Sequence, residues 1–316
     1  MNLRIFFTTD IHGSETCFLK FLNAAKAYKA DILIFGGDIT GKVIVPIVKG
    51  QDSYFHATFL GDKYKLQDED ELESFGKKVM RSGFYPYCTD SSGLKELDDE
   101  DKFNKVFSQL VCESIQKWVD IADERLKDSR VKCFISAGND DSFIVDSILE
   151  NSQHIIHPEG KVVNIDPLNE MISCGFANIT PWRCPRDIPE EELANKIETM
   201  ASKVQDMRNC IFNLHCPPYN TLIDQAPKLD EKMRPVLAPG GDYEMIPVGS
   251  SSIFKAIEKY QPLLSLHGHI HEARGIFKIG RTLCVNPGSE YQEGVLRGFL
   301  VDISPKGIAD YIFTSG

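Results

Sequence analysis

Apolar positions in this chain come in short, near-continuous runs, each followed by glycine and polar residues. Leu3–Thr9, Ile32–Phe35, Val131–Ser136, Met171–Cys174, Cys210–Leu214 and Leu263–Leu266 are too short for helices and read as buried strands. Stretches of helical character lie between them. Ser14 can cap a helix from about Glu15 to Lys29, and Ser250 one that runs to Tyr260. From Phe103 to about Leu126, residues Phe103, Phe107, Leu110, Val111, Trp118 and Ile121 share one side of a helix. A further helix starts from Ser142, and Asp187-Ile188-Pro189 opens an acidic one to about Gln205. The opening strand, helix and strand form a βαβ unit, which predicts a parallel pair. Lys161–Ile165 reads as another strand, and Arg274–Lys278, Thr282–Val285, Arg297–Asp302 and Ala309–Phe313 make a β-rich end.

Residues from about 41 to 100 break the rhythm. Val43–Val48 and Tyr54–Leu60 can pair as a hairpin, polar and acidic sequence follows, and Tyr85-Pro86-Tyr87 reads as turn. The chain 1–316 is therefore expected to be one domain carrying an insertion at about 41–100, packed beside the core and a candidate lid.

Composition narrows the class. With 42% hydrophobic and 26% charged residues, the 316-residue chain has the balance of a soluble globular protein able to bury a full core. A net charge of −11 excludes a global basic field, so nonspecific nucleic-acid binding is not expected, although bound dications could supply local positive charge. The acidic run Asp98–Asp101 reads as a solvated turn before a helix rather than a metal site. Nine scattered cysteines without a CxxC pair suggest free thiols in a reducing compartment. The opening residues lack a secretory layout, and no apolar run nears the ~20 residues that span a bilayer. The expected location is cytoplasmic, with no membrane partner.

Metal-competent side chains recur just past the buried strands. Asp10 and His12 lie in TTDIHG, Asp38 in FGGDITG, Asn139 in AGNDDS, His215 in NLHCPP, and His269 and His271 in LHGHIH. Ligands of open α/β sheets gather at the carboxyl ends of strands, so these segments can converge. The spacing of two within Asp10/His12 and His269/His271 points each pair to one side of an extended backbone. Glycines 36, 37, 138 and 268 would let the chain turn tightly around a site. Three oxygen donors with four imidazoles suit Mn, Fe or Zn better than calcium. Seven ligands exceed what one ion takes, which points to two divalent ions, with manganese favoured, sharing one carboxylate.

The ordered set resembles the calcineurin-like metallophosphoesterases, whose pattern is DxH…GDxx…GN[H][DE]…H…GHxH. The resemblance spans roughly 1–40 and 131–290. It implies a four-layer α/β/β/α sandwich of two stacked mixed β-sheets flanked by helices. It also implies that Asp10, His12 and His271 bind one metal and Asn139, His215 and His269 the other, with Asp38 bridging. The expected chemistry is hydrolysis of a phosphate ester by a hydroxide held between the metals.

One position departs from the pattern. Where the family often carries a histidine that serves the leaving oxygen, this chain has Asp140, a candidate acid only with a raised pKa. Asp141 falls on the acidic position that orients metal ligands. The missing histidine mildly favours phosphodiesters. Phosphomonoesterase or phosphoprotein phosphatase activity on the same site is the alternative, and a non-catalytic scaffold of the same fold is a more distant one.

Candidate substrate contacts are Trp182, Arg183, Arg186 and Tyr219, toward a phosphate ester that can be nucleotide-like. Trp182 either stacks a base or plugs the core. Asn286-Pro287-Gly288-Ser289 is expected to shape the rim beneath GHIH. His267 lies inside a strand and outside GHxH, and His56, His154 and His157 read as surface residues. Cys216 is not required as a nucleophile.

Overall fold

The computed structural model describes residues 2–316. Two six-stranded mixed sheets stack face to face. One runs in the order Gly307–Ser315, Arg297–Ser304, Leu3–Thr8, Ile32–Phe35, Lys132–Ile135, Ile155–Ile156. The other runs Gly275–Ile279, Thr282–Asn286, Leu264–Leu266, Ile211–Leu214, Glu170–Cys174, Val162–Asn164. Leu3–Thr8 pairs in parallel with Ile32–Phe35, as the opening βαβ pattern requires, and Ile32–Phe35 with Lys132–Ile135. Glu170–Cys174, Ile211–Leu214, Leu264–Leu266 and Thr282–Asn286 are likewise parallel.

The continuous apolar runs follow from burial on both faces, with alternate residues entering different cores. Ile5, Phe7, Ile32, Ile34 and Phe134 meet Met171, Ile211, Leu264 and Leu266 between the sheets. Their neighbours Phe6, Leu33, Phe35, Cys133 and Ile135 turn outward to a helical layer. Helices Glu15–Ala27, Glu100–Leu126 and Ile144–Glu150 supply that layer through residues such as Phe18, Phe21, Trp118 and Val145. On the opposite face, Ile172, Phe212 and Leu214 pack against helices Glu190–Ala201 and Ser251–Tyr260. The result is an α/β/β/α sandwich.

Polar residues set the helix ends. Ser14 and Ser250 cap their helices through side-chain oxygens. Asp99, in the acidic run, caps Glu100–Leu126 by accepting from the Lys102 amide.

Residues 44–89 build a separate four-stranded sheet. Ile44–Lys49 pairs with Phe55–Phe59 as the anticipated hairpin. The polar, acidic stretch, however, contains a helix, Glu69–Arg81, capped by Asp68. Few apolar residues betray it because it buries only one narrow face, through Phe75 and Val79. Tyr85–Thr89 is also a strand, not a turn, and lies parallel to Ile44–Lys49. It is an edge strand, where Pro86 costs no ladder bond.

His157 is buried rather than on the surface. Its ring is held between the Ile135 carbonyl at 3.0 Å and Asp146 at 3.3 Å. All nine cysteines are free. No described helix is long and apolar enough to cross a membrane.

Trp118 stacks on Phe18 with ring centroids 4.5 Å apart, deep in the first helical layer. Trp118→Ala should destabilise the chain by about 3–5 kcal/mol. A denaturant midpoint indistinguishable from wild type would contradict this account of the layer.

Candidate metal centre

The loops that follow Leu3–Thr8 and Ile32–Phe35, neighbours in the first sheet, hold each other by backbone bonds. The Asp10 amide donates to Gly37 O (2.9 Å), His12 to Asp38 O (3.0 Å) and Gly13 to Ile39 O (2.7 Å). The paired side chains do not converge through extended backbone, as their spacing suggested. Asp10, His12, Asp38 and His269 take left-handed φ values of 54°, 38°, 55° and 67°, which non-glycine residues rarely adopt. The glycines act mainly by allowing close approach. A Cβ on Gly138 would run into Asp38 Oδ1, and one on Gly268 into Asp10 Oδ2.

The donors form overlapping groups, Asp10/His12/His271, Asp38/His215/His269 and His12/Asp38/Asp140, each with its ligand atoms within 4.8 Å of one another. His12 Nε2 faces His271 Nε2 at 3.0 Å, and His271 Nε2 lies 3.6 Å from Asp10 Oδ1. Asp38 divides its carboxylate, with Oδ2 3.6 Å from His12 Nε2 and Oδ1 3.3 Å from His215 Nε2. His215 Nδ1 meets the Gly36 carbonyl at 2.9 Å, which directs Nε2 inward. Asn139 donates through Nδ2 to Asp187 Oδ1 (2.9 Å), leaving its buried Oδ1 without a partner.

This donor set fits divalent cations. Buried polar atoms normally find partners, yet His215 Nε2 and Asn139 Oδ1 make no hydrogen bond. Burial drives the His12 pKa down to about 3 and that of His269 to about 4, so both imidazoles keep the lone pair a metal needs. At His215 burial acts in the same direction, but Asp38 and Asp10 outweigh it and push the value up to about 10. Burial would raise Asp38, but His215 and His12 hold it well below the usual carboxylate range. The carboxylates recruit positive charge from whatever lies nearest, and a dication would serve the same need.

No family model matches the chain. An uncharacterized protein of Methanocaldococcus jannaschii is 36% identical over 129 residues, 40% of this chain and 51% of that protein. The match therefore spans about half the length of that relative. One solved structure superposes with a TM-score of 0.59 at 14% identity over 99% of both chains. TT1561 of Thermus thermophilus gives 0.55 at 13% identity over 100% of this chain and 99% of its own. These likenesses extend along the whole chain and show a shared fold, the mixed α/β sandwich.

Behind the donors, other residues fix their positions. The Asp141 carboxylate accepts from the amides of Gly138 (2.7 Å), Ile39 (3.0 Å) and Thr40 (2.8 Å), and from Thr40 Oγ1 (2.6 Å). It thus ties the loop bearing Asn139 to the loop bearing Asp38. His267 stays off the donor cluster and bonds through Nδ1 to Leu214 O and Cys216 O, on either side of His215. Asn286 donates to Gly268 O and Ile270 O, and Ser289 Oγ to Asp10 O, so this segment shapes the rim as expected.

Other candidates lie elsewhere. Arg186 does not lie exposed with Trp182 and Arg183. It is fully buried, and its guanidinium donates to Asp141 O, Ser142 O and Asp146 while its plane faces Phe143. Trp182 is 66% exposed and so does not plug the core, and Arg183 beside it is exposed. Tyr219 lines a cavity of about 570 Å³ with Phe254 and Phe277, and no donor-cluster residue borders it. Cys216 is buried with its thiol on Asn178 Oδ1.

Two partners escaped the sequence reading. Asp187 marked only a helix start, and Lys42, an isolated lysine, carried no motif; its Nζ lies 2.5 Å from Asp140 Oδ2. Asp187 also accepts from Thr180 N, Thr180 Oγ1 and Cys184 N, so it is rigid where it grips Asn139. Losing a partner behind a metal ligand typically costs 10–100-fold in affinity. Asp187→Ala should weaken Mn²⁺ binding by about that factor in calorimetric titration, and unchanged binding would remove Asp187 from the centre.

Proposed function

We propose that the protein is a phosphoric ester hydrolase whose two divalent ions, manganese favoured, are held by Asp10, His12, Asp38, Asn139, His215, His269 and His271. The observation that carries this reading is the divided Asp38 carboxylate, with one oxygen toward His12 and the other toward His215. When bound, the ions would supply Lewis acidity and an activated water for in-line displacement. The chain's own contribution is to hold the donors in place in a rigid cup. Asp141, Asp187, Asn286 and His215's bond to Gly36 supply that rigidity.

Phosphodiesters are favoured over monoesters, because an aspartate stands where the leaving-group histidine of the family would be. Exposed Trp182 supports a nucleotide-like substrate through stacking. Nine free thiols support a reducing, cytoplasmic setting. The whole chain, 1–316, is read as one domain with an insertion at about 41–100 that contains the sheet of residues 44–89.

Chelator-treated protein should lose all activity toward aryl phosphates and regain it with Mn²⁺, with bis-aryl esters turned over faster than mono-aryl ones. Full activity in metal-free protein would defeat the two-metal reading, and faster monoester turnover would defeat the diester preference.

Asp38→Asn should abolish turnover and lower the metal-to-protein ratio while preserving the circular dichroism spectrum. Wild-type rate and metal content in that variant would show the bridge assignment to be wrong.

A further inference from the structure

We propose that Lys42, held by Asp140, is the cation that contacts the phosphoryl group on the open side of the centre, with Asp140 as its positioning residue. This inference rests on the phosphoesterase reading above. It begins with the pattern of exposure. The side chains of His12 and His215 are fully buried, that of Asp10 is 1% exposed and that of Asp38 5%. His271 is 29% exposed, Asp140 21% and Lys42 48%. An ester entering from solvent therefore meets the centre where Asp140 and Lys42 stand.

The pair is built into the site. The Asp140 amide donates to Asp38 Oδ1 at 3.0 Å, which fixes the residue against the bridging carboxylate. Its Oδ2 lies 2.5 Å from Lys42 Nζ and 3.8 Å from the unpartnered Nδ1 of buried His12. The base of Lys42 is anchored as well, because the adjoining Gly41 amide donates to the Tyr85 hydroxyl at 2.8 Å. From there the side chain reaches far enough for its charge to act on Asp38, His12 and His271.

Asp140 stands in an ion pair with the ammonium, and its Oδ2 makes no hydrogen bond. Lys42 has three N–H donors. The ammonium faces Asp140 as an ion pair, and these donors remain for a phosphoryl or leaving-group oxygen. A compact point charge on a flexible stem suits phosphate. The Arg186 guanidinium is fully buried, with Nε and Nη2 held by Asp146 and two carbonyls, away from the open side where Lys42 stands.

The test is calorimetric binding of inorganic phosphate to Mn²⁺-loaded wild type, Lys42→Met, Lys42→Arg and Asp140→Asn, with kcat and KM for aryl esters measured alongside. A charge-assisted hydrogen bond lost from the phosphate should weaken its binding by about 10–100-fold in Lys42→Met. Mn²⁺ stoichiometry should not change, and Lys42→Arg should recover most of the loss. Asp140→Asn should fall between wild type and Lys42→Met. Wild-type phosphate affinity in metal-replete Lys42→Met would overturn the proposal and leave the phosphoesterase reading intact. A greater loss in Asp140→Asn than in Lys42→Met would assign the contact to Asp140 and also overturn it. If metal-loaded wild type neither binds phosphate nor cleaves any ester, the underlying reading fails, and this inference with it.

Discussion

Burying two carboxylates among four imidazoles is the constraint on which the rest of this structure depends. Asp10 and Asp38 are almost wholly removed from water and sit within 4 Å of histidine nitrogens. Isolated buried charge is very costly, and it persists only where opposite charge or a metal is at hand. The opposed pKa displacements of His12 and His215 express the same tension. One imidazole is kept neutral by burial, and the other is driven toward the cation by the carboxylates beside it. A site of this kind cannot be assembled from one sheet. Asp10, His12, Asp38 and Asn139 come from the first, and His215, His269 and His271 from the second.

That division explains what was legible in the sequence. Strands buried on both faces leave long apolar runs, and the polar residue that ends each run stands out against them. The candidate donors and the opening parallel pair could therefore be read from the chain itself, whereas the sandwich layers were implied by the family resemblance. The residues that orient the donors could not. Asp187 looks like any acidic residue at a helix start, and His267 like any core histidine, until the fold sets them beside Asn139 and His215. The surroundings of Arg186 were hidden for the same reason. Its neighbours in sequence are an exposed tryptophan and arginine, whereas its guanidinium turns inward to carbonyls and Asp146.

Residues 44–89 were the least legible stretch, and the cause is the size of their core. Seven buried apolar residues, among them Val45, Phe59, Phe75 and Val79, support four strands and a helix. Each element buries only one side, so propensity and composition are diluted by charge, and Pro86 disguises an edge strand as a turn. The position of this sheet still matters for the centre, because Tyr85 pins Gly41 and so sets where Lys42 begins.

The backbone carries part of the cost of the site. Residues with side chains in the left-handed region store about 1–3 kcal/mol each, and they persist where surrounding structure over-determines them. Asp10, His12, Asp38 and His269 are four such residues in one cluster, a large share of a net stability usually near 5–15 kcal/mol. The opposing contributions are visible: the three amide bonds that join the Asp10 and Asp38 loops, the four donors on Asp141, and the Asn286 amide under the GHIH loop. The bonds between the Asp10 and Asp38 loops and those on Asp141 lie outside the regular strands, and each needs two loops in place at once. Strain and restraint are therefore coupled, and the donors keep their geometry because the loops cannot relax one at a time.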